Sequence, residues 1–218
     1  MSSREAILTR IRAAQGRSGA PSPAERAAVA TYINSHAQGP RPQSDREPVA
    51  RFSERALALT TTLDRVASVA HVPLAVARYL DQNQLSRHAV CWPELSALEW
   101  QAAGIHVEAR EAQGADLVGI TGAFCAIAET GTLMLLSGPR TPATTSLLPE
   151  THIAVLPTNR IVRGMEDAWQ LLRAEGGEKF MPRAVNFISG PSRTADIEQT
   201  LVLGAHGPYR VHVVLVEG

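Results

Sequence analysis

Beyond Pro48 the chain alternates short aliphatic runs with segments of helical periodicity, and this alternation most restricts the folds open to it. Strand-like runs fall at Asp64 to Ala70, Ala89 to Trp92, Ile105 to Ala109, Leu117 to Thr121, His152 to Leu156, Val185 to Ser189 and Arg210 to Val216. Helical patterns fall at Arg51 to Thr61, Pro73 to Leu85, Ser96 to Ala103 and Gly164 to Ala174. The apolar run Phe124 to Leu136 is split by Glu129-Thr130-Gly131, which reads as a turn or bulge between two strands. The pattern predicts an α/β domain with a largely parallel sheet. Aromatics make up only 5% of the chain, so its core is mainly Ala, Leu and Val, as in helix-covered sheets.

Two helices precede this domain. Ser2 with Glu5, and Ser22-Pro23 with Glu25, have the spacing of capping boxes, in which a hydroxyl and a carboxylate satisfy the first free N–H groups. The second helix is predicted to end near Ser35. From Gln38 to Pro48 the chain carries three prolines and no large apolar residue, as a linker does. The predicted division is a helical extension and Pro-rich linker over 1–47 and the main domain over 48–218. The extension is too small to stand alone and is expected to pack on the main body or on a neighbouring subunit.

Charge and motif content narrow the function classes. Lys+Arg and Asp+Glu both total 21, so the basic excess usual for nucleic-acid binding is missing and no nucleic-acid partner is expected. The first residues carry charges where a signal peptide needs an apolar stretch, and no window approaches the roughly 18 apolar residues of a membrane span. A cytoplasmic location is expected by default. Phosphate-loop, dinucleotide-turn, GxSxG and HExxH motifs do not occur, and no metal site is expected. The two cysteines, Cys91 and Cys125, cannot hold an iron–sulfur cluster alone, because such clusters ordinarily need four ligands.

Three segments carry candidate chemistry. Around Glu129, a carboxylate set in apolar strand and followed by Thr130-Gly131 is costly to bury unless hydrogen-bonded or used. It reads either as a proton-transfer or nucleophilic group or as a turn residue, and the residues alone weigh the two equally. Thr121 belongs to the same stretch, and Cys125 reads as a small buried hydrophobe. From Ser189 through Gly190, Ser192 and Arg193 to Asp196, a strand is expected to run into a helix start. That turn would offer backbone N–H groups and a guanidinium to a carboxylate or phosphate. The alternative is an ordinary β–α turn with Asp196 as its cap. In Gly204-Ala205-His206-Gly207-Pro208, His206 either enters a cleft or stays a surface turn residue, the latter slightly favoured.

These residues also carry a resemblance. Gly119-Ile120-Thr121, the run Ala126 to Thr132, Ser146-Leu147-Leu148-Pro149 with His152-Ile153-Ala154, and Ser189 to Glu198 together resemble the LUD domain, over about Ala50 to Gly218. The resemblance implies a Rossmann-like, three-layer fold of the NagB/RpiA/CoA-transferase group, with a site at the strand ends. It further implies a part in oxidising L-lactate to pyruvate, as an accessory subunit beside iron–sulfur partner proteins, with no cofactor in this chain and a small carboxylate or other anion as ligand. In related CoA transferases a glutamate near such a strand forms a covalent intermediate, and Glu129 is the matching candidate. The predicted site is thus Glu129 as catalytic candidate with Thr121, Thr130, Gly131, Ser189, Gly190, Ser192, Arg193 and His206 binding ligand. The alternatives are a free-standing CoA-transferase-like or sugar-phosphate-isomerase-like enzyme using Glu129, and a non-catalytic ligand sensor.

Overall fold

The structure, a computed structural model, describes residues 2–16, 19–42, 46–177, 181–194 and 202–217. The chain separates into two compact units, Met1–Pro42 and Gln43–Gly218. The first holds α1 (Ser3–Ala14) and α2 (Pro23–Ser35). Both capping boxes form: Ser2 and Ser22 hydroxyls accept from the N–H groups of Glu5 and Glu25, whose carboxylates accept from the serine N–H groups in return.

The second unit opens with α3 (Pro48–Ala58). Glu47 caps it, accepting from the Val49 and Ala50 N–H groups at 2.9 Å each, and those bonds lower its carboxyl pKa. With Pro48 at the first helical position, the helix starts three residues before the hydrophobic pattern that predicted it. There follow β1 (Thr62–Val66), α4 (Val72–Gln82), β2 (His88–Cys91), β3 (His106–Glu108), β4 (Val118–Gly122), β5 (Cys125–Ile127) and β6 (Thr132–Leu136). Then come α5 (Thr144–Leu147), β7 (Thr151–Pro157), β8 (Ile161–Val162), α6 (Met165–Gly176), β9 (Val185–Ile188), β10 (Arg193–Thr194), β11 (Val202–Leu203) and β12 (Arg210–Val216).

Six strands form a wholly parallel sheet in the order β1-β12-β7-β4-β2-β3. A second sheet, β8-β5-β6-β9, contains the hairpin that Glu129-Thr130-Gly131 closes, and β10 pairs antiparallel with β11. On one face of the large sheet lies α4, which buries Val72, Ala75, Val76, Tyr79 and Leu80 at helical spacing against Ile120, Ile153, Val214 and Val216. On the other face Ala154, Leu156, Val213 and Leu215 meet Phe52 and Ala56 of α3 and Ala126, Leu133 and Leu135 of the small sheet. These are the three layers of the α/β fold. The outer face of the small sheet, Cys125, Ile127 and Met134, is closed by Ala168 and Leu172 of α6. Both faces of β7, β12 and the hairpin strands are covered, so their sequences are predominantly apolar rather than alternating, with His152 and His212 among the buried polar exceptions.

Two predicted elements differ. Ser96 to Ala103 is a series of turns, not a helix; the Trp100 indole N–H donates to Leu95 O at 2.8 Å and folds the segment on itself. The first strand is Thr62–Val66 instead of Asp64 to Ala70, because its partner β12 ends at Val216, opposite Val66, and a 3-10 turn then leads into α4.

Candidate functional site

The two predicted loop segments meet at the last turn of α3. Gly131, in the hairpin turn, has φ +70°, and a Cβ there would stand 2.6 Å from the Ala56 backbone nitrogen. Gly190, after β9, has φ +81°, and its Cβ would stand 2.6 Å from Leu59 O. Only glycine fits such positive φ against neighbouring backbone. A chain of hydroxyls then ties the segments together: Thr130 Oγ1 to Thr132 Oγ1 and Thr132 Oγ1 to Ser189 Oγ, each at 2.7 Å. Register brings this about, since β6 and β9 are antiparallel, with Leu133 opposite Ile188, and so Thr132 comes beside Ser189.

Glu129 is half-buried on the hairpin turn. Its N–H donates to Arg163 O at 3.0 Å and its carbonyl accepts from Arg55 Nε at 3.3 Å. Arg193 leaves in another direction. Its Nη2 donates to Leu59 O at 3.0 Å and to Thr60 Oγ1 at 2.7 Å. The turn before it is fixed by Ser192 N–H on Pro208 O and Gly204 N–H on Ser192 O. Arg193 opens the β10–β11 ribbon, and the helix start expected with Asp196 as its cap lies outside the described residues.

Arg193 borders a cavity of about 440 Å³ at the amino ends of β1 and β12, lined with Thr60, Thr62, Tyr79, Asn83, Tyr209 and Arg210 among others. Among the described residues no carboxylate lines it, and Glu129 is not one of its lining residues. Arg210 is the notable member. Its guanidinium lies over the Tyr209 ring, 4.2 Å from the centroid, and its Nη1 is buried with no hydrogen-bond partner among the described residues. A buried unpaired donor is costly, and a cation more so, unless an anion reaches it. Beneath the cavity, Thr62 Oγ1 contacts Nδ1 of the buried His212 at 2.9 Å, and the imidazole stacks on Tyr79 at 3.9 Å. Burial lowers the His212 pKa to about 4, so the ring is neutral at pH 7.

The remaining predicted residues are placed elsewhere. Thr121 is wholly buried within β4, its hydroxyl 2.7 Å from Nε2 of the equally buried His152. His206 is exposed in the turn between β11 and β12. The sequence reading missed Arg210, Thr60, Thr62, Tyr79, Asn83 and Tyr209. One signal was available: Arg210 is a lone cation opening a strand whose other residues are aliphatic but for His212.

Residues 69–216 match the family model of the LUD domain. Lactate utilization protein C of Halalkalibacterium halodurans is 45% identical over 109 residues, covering 49% of this chain and 46% of that protein. Its namesake in Bacillus subtilis is 38% identical over 128 residues, covering 57% and 53%. The chain spans about half the length of the curated relatives it matches. Among solved structures, a DUF162 family protein from Deinococcus radiodurans superposes with a TM-score of 0.58 over 80% of this chain and 99% of that one. At 24% identity that likeness shows the fold.

Proposed function

Because the chain belongs to the LUD domain family, we propose that it serves lactate utilization as an accessory component that binds a small carboxylate or related anion between Arg193 and Arg210. The observation that carries this reading is the buried Nη1 of Arg210, which among the described residues has no partner, in a cavity that Arg193 shares and no described lining carboxylate neutralises. Guanidinium forks match carboxylate and phosphate oxygens. The volume exceeds what a three-carbon acid needs, so the ligand is either a larger acid or a small one held with water. In this reading the electron-transfer step belongs to iron–sulfur partner proteins, since two cysteines cannot supply the thiolates of a cluster.

Calorimetric titration with L-lactate, pyruvate, sugar phosphates and CoA tests the binding, with Arg193→Met and Arg210→Met as controls. Binding of at least one acid, weakened at least about tenfold in each variant, is expected. No heat with any of them refutes the anion site. Native co-purification tests the accessory role separately: the absence of iron–sulfur proteins from the complex refutes it.

A further inference from the structure

The large sheet has a topological switch point far from the arginine cavity. β2 connects outward to β3, whereas β4, its other neighbour, leads the opposite way to β7. Connections that diverge in this manner open a crevice outside the carboxyl ends of the two strands, where open α/β sheets characteristically bind ligands. Here a cavity of about 430 Å³ occupies that place. Trp92 and Glu94, just past β2, form one side, Ala123 and Phe124, just past β4, another, and the loop from Ser137 to Thr141 a third.

The walls are fixed by bonds made elsewhere. The Trp92 indole N–H donates to Pro142 O at 3.1 Å, tying the loop to the strand end. Gly138 and Thr141 exchange backbone hydrogen bonds, and the Thr141 hydroxyl donates to Leu136 O at 2.7 Å. Phe124 is held by Arg160, whose Nε donates to its carbonyl at 2.8 Å and whose guanidinium stacks on its ring. Glu94 differs from all of these. It is an exposed residue on a 3-10 turn started by Pro93, and its Oε1 lies over the last residue of β4, Gly122. Among the described residues its carboxylate has neither a hydrogen bond nor an ion pair.

We infer that this crevice is a second small-molecule site, distinct from the arginine cavity, for an uncharged planar ring with a ring N–H beside an exocyclic amine, the donor edge of guanine. A carboxylate with both oxygens free accepts two parallel N–H bonds from such an edge. Phe124, Leu136, Pro139 and Pro182 supply the apolar surface that a planar heterocycle covers, and the almost wholly buried Trp92 borders it. The two cavities are opposite in charge. The first gathers guanidinium groups and the second presents a lone carboxylate, which repels the acids that the first one attracts.

Tryptophan fluorescence and calorimetry on the full chain, with guanosine, isocytosine, inosine and adenosine as probes, decide the matter. Guanosine and isocytosine are expected to bind and to quench the emission of Trp92. Inosine, which keeps the ring N–H but lacks the amine, is expected to bind at least about tenfold more weakly, and adenosine not at all. Glu94→Gln is expected to weaken guanosine at least about tenfold without moving the thermal midpoint, whereas Arg210→Met leaves guanosine affinity unchanged. Failure of guanosine and isocytosine to bind, equal affinity for inosine, or unaltered affinity in Glu94→Gln would each overturn the assignment. None of those results bears on the anion site.

Discussion

Replacing Arg210 by Met should make the protein more stable and, at the same time, blind to anions. Arg210 holds a buried Nη1 with no acceptor among the described residues. Leaving such a donor unpaired costs about 1–3 kcal/mol, which Met does not incur. Met keeps the aliphatic contact with Tyr209 but loses the cation–π attraction seen at 4.2 Å, worth about 0.5–1 kcal/mol at a partly exposed site. The difference leaves a gain of roughly 1 kcal/mol, or about 2–4 °C in Tm for a domain of this size. The assay is urea denaturation of both proteins in a buffer free of carboxylates and phosphate, repeated with the tightest-binding acid at 100 times its Kd. Wild type should gain about 2.7 kcal/mol from ligand and the variant much less. A variant less stable than wild type in plain buffer would show that Nη1 is satisfied in solution. A variant stabilised by the acid as much as wild type would remove Arg210 from the site.

Gly190→Ala should lose at least about 2 kcal/mol by urea denaturation, from positive-φ strain and the contact with Leu59 O. Gly114→Ala, with nothing within 4 Å, should change stability by no more than about 0.5 kcal/mol and serves as its control. His152 and His212 are held by burial at about 4, against an ordinary value of 6.5. The unfolded chain therefore takes up protons that the folded one refuses between these limits. Stability should be full above pH 6.5 and fall as the pH drops toward about 4; urea midpoints that stay flat across this window would contradict neutral burial of the rings. Burial pushes the thiol of Cys91 up to about 11 and that of Cys125 up to about 12. Neither should react with a thiol reagent at pH 8 until the protein is unfolded, and rapid native labelling would show that the core opens.

The sequence by itself determined the elements whose causes are local or strongly periodic. Capping boxes at Ser2 and Ser22 act within four residues and formed as expected. The aliphatic runs at His152 to Leu156 and Arg210 to Val216 became central strands because only a sheet covered on both faces hides so much apolar surface. The glycines at 131 and 190 announced tight turns for an equally local reason. Tertiary structure decided the rest. A helix was expected at Ser96 to Ala103, but so short a segment is marginal on its own, and the packing of Trp100 overrode it. Arg193 and Glu129 belong to segments that meet at α3, yet the arginine turned toward Thr60 and a cavity that the glutamate does not line. Arg210, Thr62 and Tyr79 reach that cavity from β12, β1 and α4. Strand order and register set which side chains lie together across such separations, and neither is encoded in the spacing of any one segment.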